Sequence, residues 1–275
     1  MIELNGNPVK KDIEEKLLEI INKINRKKVI TILENTYDPS AQTYAKAKKK
    51  LFDKYSIPYN TIPVLQNYGE NEIINIITTL NKDEKVAGIF LELPLPNNID
   101  SKKIVDYIEY EKDVEGVTTK ALGKLFSGDE TIVAPTAMSI IKILEYYKIP
   151  IAKADVVVIN RSMIIGKPLI ALLLNRNATV TVCHTKTVDI DSHIARADIV
   201  VSGVAKPHFF EGKRLKKDCV IMDASINFEG EKIVGDFDPY LFQNRDDIKY
   251  TPTPKGVGVV TNSVLLENCV KLLLK

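Results

Sequence analysis

Tryptophan is absent from this 275-residue chain, and cysteine and histidine occur only three times each. Cys183, Cys219 and Cys269 lie far apart and are odd in number, and His184, His193 and His208 are equally scattered. That distribution offers neither a disulfide framework nor a metal-ligand spacing, and it fits a reducing cytoplasm. No apolar run is long enough to span a bilayer. The opening residues, MIELNGNPVKKDIEE, lack an apolar signal core. The formal charge is only +2, so neither a nucleic-acid nor a membrane partner is implied. Repeats and low-complexity tracts are missing, and the length suffices for two domains. The G-x-G-x-x-G fingerprint of dinucleotide-binding proteins is missing as well.

What is there centres on residues 154–187, ADVVVINRSMIIGKPLIALLLNRNATVTVCHTKT. Val156 to Ile159 is a β-branched run, the mark of a strand buried on both faces. Asn160, Arg161 and Ser162 turn the chain, Gly166 lacks a Cβ, and Pro168 suits the first turn of a helix. Thr179 to Cys183 is a second, parallel strand. This is half of a dinucleotide-binding fold, with pyrophosphate expected at the helix N-terminus. The bland alternative is a βαβ unit without a ligand. The end of the second strand argues against it. A carboxylate there would grip the ribose hydroxyls of NAD; this chain instead offers Thr185 and Lys186, with Arg161 nearby. That set favours a ribose phosphate, hence NADP.

The remaining chain alternates strands and helices. A helical stripe runs over residues 9–28 through Ile13, Leu17, Ile21 and Ile24. A strand is predicted at 28–33 and a helix from Ser40, as N-cap, to Lys54. Further strands are predicted at 58–64, 86–93, 198–201, 219–224 and 248–250. Helices are predicted at 70–81, 100–108, 136–147, 190–195 and 262–274. Residues 110–135 read as the irregular seam between two domains. Tyr44 and Lys48 fall four apart on one helical face, where a phenol and an ammonium can orient a polar ring and move a proton; alone they also fit a solvated lysine face. Short-chain dehydrogenases carry Tyr-x-x-x-Lys too, but after the nucleotide turn, whereas here it comes far before. Glu92 ends a buried strand, where ligands of α/β sheets gather. Asp113 and Glu115 sit in K-D-V-E-G. Asp223, Asp236 and Asp238 read as strand end, loop and cap.

Taken in order, Y-x-x-x-K, L-E-L-P-L-P-x-x-I-D, K-D-V-E-G, N-R-S-x-x-x-G-x-P, V-C-H-T-K-T, D-x-S-I-N and T-P-T-P-K-G-V-G span nearly the whole chain. It resembles the bifunctional methylene-tetrahydrofolate dehydrogenase/methenyl-tetrahydrofolate cyclohydrolase family. The resemblance implies a two-domain α/β protein: residues 1–134 with 261–275 as the folate domain, and 135–260 as a Rossmann-type, doubly wound NADP domain across a cleft. It also implies a cytoplasmic homodimer acting on tetrahydrofolate derivatives. Lys48 matches the catalytic lysine, and Tyr44 the tyrosine that stacks on folate. Glu92 and Glu115 stand at the family's glutamine and pterin-binding aspartate. Gly256 and Gly258 match the loop beside folate and cofactor. Asn160, Arg161, Ser162, Gly166, Thr185, Lys186 and Ile226 match the cofactor site.

The departures gather in the folate site. Ala41 replaces a serine, residues 134–137 depart from a proline-cysteine-threonine-proline segment, and Asn160 takes the place of the first turn glycine. Glu115 keeps a charge but adds a methylene. Glu92 introduces a charge: within contact distance of Lys48 it would favour the ammonium and weaken it as a base for hydrolysis, whereas protonated by burial it would act as a neutral partner resembling the glutamine. Two other readings fit less of the chain: a different NADP oxidoreductase, and a non-catalytic folate- or nucleotide-binding protein.

Overall fold

The computed structural model describes residues 1–275, apart from the side chains of Pro39, Ser40, Thr43 and Tyr44. In chain order the elements are β1 (Ile2–Glu3), α1 (Gly6–Ile21), β2 (Val29–Asn35), α2 (Pro39–Lys54), β3 (Tyr59–Val64), α3 (Glu70–Lys82) and β4 (Val86–Leu91). There follow α4 (Ser101–Val105), α5 (Thr119–Phe126), α6 (Pro135–Tyr146), β5 (Asp155–Ile159), α7 (Gly166–Asn175), β6 (Thr179–Cys183) and α8 (Ile190–Arg196). The chain ends with β7 (Ile199–Ser202), β8 (Val220–Asp223), β9 (Asn227–Glu229), β10 (Lys232–Val234), β11 (Lys249–Tyr250) and α9 (Val257–Leu273). These elements form two compact units, 1–13 with 134–264, and 14–133 with 265–275.

The first unit is built on a six-stranded parallel sheet in the order β1-β11-β8-β7-β5-β6. Val156, Val157 and Val158 in β5 are fully buried, as a central strand covered by helices on both faces must be. β5 passes to β6 on one side and, through β6 and α8, to β7 on the other, so the strand order reverses at β5. The first thirteen residues belong to this unit rather than to the folate domain of the sequence expectation. The reason is hydrogen bonding: Ile2 and Leu4 donate to the carbonyls of Ile248 and Tyr250, which makes β1 an edge strand beside β11.

The second unit holds a parallel three-stranded sheet, β3-β2-β4. Every residue of β4 is buried, whereas β3 is a half-exposed edge, which is why Pro63 is tolerated there. Gly88 in β4 allows close approach of neighbours, since a Cβ would meet the side chains of Val114, Ile30 and Leu272 at 2.6–3.1 Å. Two local readings of the sequence need correction. The cap of α2 is Asp38, whose carboxylate accepts from Ala41 N at 2.8 Å, because it stands just before Pro39 at the helix start. The stretch 110–135 is not irregular throughout: Thr118 caps α5 by accepting from Ala121 N at 3.1 Å. The two-stranded antiparallel sheet β9-β10 was not legible in the sequence, being only three residues a strand.

Candidate active site

Lys48 lies on α2 and is almost wholly buried, at 8% exposure. Its Nζ is 3.1 Å from Glu92 Oε1 and 3.6 Å from the centre of the Phe90 ring. Glu92, 4% exposed, directly follows β4, and its N–H donates to Leu33 O at the end of β2. The other carboxylate oxygen, Oε2, accepts the Asn35 N–H at 3.2 Å. Oε1 has no aligned hydrogen bond, so Lys48 and Glu92 meet as an ion pair with little directionality. Taking two opposite charges out of water is costly for each alone and tolerable only together.

Glu115 belongs to the same unit, on a loop wound around Asp113. The buried Asp113 carboxylate accepts from the N–H groups of Glu115, Gly116 and Thr118 at 2.9–3.2 Å. Burial pushes the Asp113 carboxyl up, against the lowering effect of those N–H donors. Gly116 takes a φ of +60°, and a Cβ there would press on the Val133 backbone at 2.9 Å. The loop is fastened to α9 by Asn268, whose amide donates to Val114 O and Val133 O, both at 3.0 Å. Burial pushes the Glu115 carboxyl up to about 7; Lys48 pulls it down, and Asp113 and Glu92 push it further up. The charges of Lys48, Asp113 and Glu92 thus all bear on Glu115. Cys269 on α9, which the sequence reading left out, senses both Glu115 and Lys48, and burial pushes its thiol up. The side chain of Tyr44, also expected here, lies outside the described residues.

In the other unit, the registers Ile159 opposite Cys183, Ile159 opposite Ser202 and Ser202 opposite Asp223 align the carboxyl ends of β6, β5, β7 and β8. The loops beyond them hold the expected cofactor residues. Asn160 shapes the turn: its amide donates to Gly203 O at 2.7 Å and accepts from Ser162 N at 2.8 Å and Gly166 N at 3.1 Å. Gly166 is fixed by space, since a Cβ would come within 2.3 Å of Asn160 O. The first turn of α7, where the sequence places the pyrophosphate, offers few free N–H groups. Gly166 N is held by Asn160, Lys167 N donates to Ser162 O, and Pro168 has none. An anion at this point would meet the helix dipole and the exposed Arg161 and Ser162 instead. Past β6, His184 and Thr187 close a loop through the bonds His184 N to Thr187 Oγ1 and Lys186 N to His184 Nδ1. This leaves Thr185 and Lys186 exposed at its tip. Ile226 is 48% exposed beyond β8.

Gly256 and Gly258 fall in this unit and not in that of Lys48 and Glu115. They differ in kind. A Cβ on Gly256 would strike Pro252 O at 2.3 Å, whereas one on Gly258 would meet nothing within 4 Å. Among the described residues no group of three or more His, Cys, Asp or Glu is arranged to hold a metal ion, and no helix is long and apolar enough to cross a membrane.

Comparison with known proteins matches both units. The family described as tetrahydrofolate dehydrogenase/cyclohydrolase matches through its catalytic domain over residues 4–115 and its NAD(P)-binding domain over residues 134–275. The bifunctional protein FolD of Clostridium novyi (strain NT) is 36% identical over 274 residues, covering 97% of each chain. The crystal structure of the bifunctional enzyme FolD, methylenetetrahydrofolate dehydrogenase/cyclohydrolase, from Campylobacter jejuni superposes with a TM-score of 0.91 at 32% identity, covering 99% of this chain and 98% of that one. The methylenetetrahydrofolate dehydrogenase-cyclohydrolase (FolD) of Trypanosoma brucei, complexed with NADP cofactor and inhibitor, gives a TM-score of 0.89 at 28% identity, covering 99% and 97%.

Proposed function

Because the chain belongs to the tetrahydrofolate dehydrogenase/cyclohydrolase family, we propose that it oxidises methylene-tetrahydrofolate with NADP and hydrolyses the methenyl product to formyl-tetrahydrofolate. The observation that carries this reading is the buried Lys48 ammonium held 3.1 Å from Glu92 at the carboxyl end of β4. NADP supplies the hydride acceptor when bound. The residues beyond β5 and β6 fit it: a turn with no room for a Cβ at Gly166, and exposed Arg161, Thr185 and Lys186 suited to a ribose phosphate. Ser162 is assigned to the pyrophosphate and Ile226 to the nicotinamide end. For hydride transfer the chain's task is positioning. Glu115 grips the paired N–H donors of the pterin and Tyr44 stacks on its ring; Gly256 and Gly258 are assigned to folate from the family resemblance, Gly258 being the exposed one of the two.

Hydrolysis asks more of the side chains. Water adds to the methenyl carbon and a proton must move, and Lys48 is the residue we assign to moving it. Glu92 holds that lysine in an ion pair where a neutral amide would only hydrogen-bond, so hydrolysis is the weaker of the two activities. The chain is assigned to the cytoplasm, in keeping with three buried unpaired thiols. It is assigned to a homodimer, in keeping with the β9-β10 hairpin, which exposes Phe228 and Ile233. The deciding experiment follows NADPH absorbance with methylene-tetrahydrofolate and, separately, decay of the methenyl compound. Both rates above background are expected, the first the faster. Neither rate above background would overturn the assignment.

A further inference from the structure

Asp236 lies in a loop, yet it is completely buried and accepts five hydrogen bonds. Oδ2 accepts from the Ser202 hydroxyl, the Ser225 hydroxyl at 2.7 Å and Val204 N at 2.9 Å. Oδ1 accepts from Lys206 N at 2.8 Å and Asn227 Nδ2 at 3.3 Å. Bonds to an ionised acceptor are stronger than neutral ones, and a buried carboxylate without them would be severely destabilising. The donors come from separate places: the last residue of β7, the loop 203–206, and the segment that follows β8. Asp223, at the end of β8, makes the reciprocal tie by accepting from Ser225 N and Phe237 N, both at 2.9 Å. Gly235 makes this crossing possible, because a Cβ would lie 2.0 Å from Asp223 Oδ2. At the centre of this hub both carboxylates are buried, Asp236 at 0% and Asp223 at 2% exposure. What it leaves outside is Ile226, held between the pinned Ser225 and Asn227, and the exposed Ala205, whose N–H donates to Ser225 Oγ at 3.1 Å.

We propose that Asp236 is a positioning residue that fixes the nicotinamide-facing rim of the NADP site, the loop 203–206 together with Ile226, without touching the cofactor. The proposal rests on the reading that the carboxyl ends of β5 to β8 hold NADP. The half of the cofactor is specified by the sheet order. Arg161, Thr185 and Lys186 follow β5 and β6, whereas the rim held by Asp236 follows β7 and β8, on the other side of β5. A dinucleotide laid across these strand ends with its ribose phosphate near Lys186 meets the Asp236 rim with its other half. Asn160 joins the two sides through its bond to Gly203 O.

The test is calorimetric titration of the full-length protein with NADP and with adenosine 2′,5′-bisphosphate, which carries the ribose phosphate but no nicotinamide. Asp236→Asn puts an amide donor among five donors. It is expected to weaken NADP on the order of tenfold or more and to leave the bisphosphate within about twofold. Ser225→Ala removes one arm and keeps the carboxylate; about a threefold loss with the same selectivity is expected, and it decides alone if Asp236→Asn does not fold. Equal loss for both ligands would mark a role in fold stability only and overturn the proposal, as would unchanged NADP binding. Wild-type protein that binds neither ligand would instead defeat the NADP reading itself, and the proposal with it.

Discussion

Lys48 and Glu92 neutralise each other inside the protein, so removing one exposes the other. Lys48→Met is expected to abolish methenyl hydrolysis while leaving measurable hydride transfer, and to destabilise the fold by about 3–5 kcal/mol through the orphaned carboxylate. Lys48→Met with Glu92→Gln should regain most of that stability in urea unfolding, because an amide still accepts the Asn35 N–H without a buried charge. Glu92→Gln alone should raise hydrolysis relative to hydride transfer. Should it lower hydrolysis, Glu92 is a working catalytic group and its reading as an impediment is wrong. Glu115 makes a separate pH prediction. Its carboxyl, pushed from 4.5 up to about 7, stays protonated in the folded protein where the unfolded chain has lost the proton. Its stabilising contribution is therefore full below about pH 4.5 and lost as pH rises through 7, on the order of 1–3 kcal/mol. Asp223, which burial likewise pushes up to about 7, has the same sign in the other unit. Melting temperatures across this range should fall less steeply in Glu115→Gln than in wild type; parallel curves would contradict the assignment.

Elements set how the glycines behave. Gly166 starts α7 against the Asn160 carbonyl, so an alanine must push backbone on backbone at 2.3 Å. Gly166→Ala is expected to raise the Michaelis constant for NADP at least about fivefold, since a steric shift of this kind costs about 1–3 kcal/mol, with little change in that for folate. Gly258 lies in the first turn of α9 and faces open space. Gly258→Ala should leave the melting temperature unchanged, so any fall in folate turnover would report a contact with the ligand itself. Unchanged turnover and stability together would remove Gly258 from the site. The caps follow the same logic of short-range chemistry: Asp38 and Thr118 each satisfy an N–H that the first helical turn cannot satisfy for itself.

On the scale of the molecule, the chain divides its work between two parallel sheets, and it crosses from one unit to the other three times, within α1, just before α6 and within α9. The hairpin β9-β10 presents Phe228, 70% exposed, on a two-stranded sheet that leaves its edges unpaired. If it forms the homodimer contact assigned above, Phe228→Asp should convert the species seen by sedimentation from dimer to monomer without loss of helical signal. A dimer that survives the change would place the contact elsewhere.

The sequence by itself determined most of the elements and their order, though not β1, α5 or the β9-β10 hairpin. β-branched runs such as Val156 to Val158 specify buried strands wherever they stand, and four-residue spacing such as Val9, Ile13, Leu17 and Ile21 specifies a helix face, because both patterns are local. It also brought the candidate residues into view by type. Tertiary structure alone decided which of them meet. Asn35 and Glu92 are 57 residues apart, and Ser202 and Asp236 are 34 apart, so no periodicity reports either contact. The same holds for the thirteen-residue start that joins the sheet of β11. The rise of Glu115 to about 7 comes from burial beside charges on other elements. Burial and pairing are properties of the folded surroundings, and a carboxylate in a loop reads the same in sequence whether it faces water or five donors.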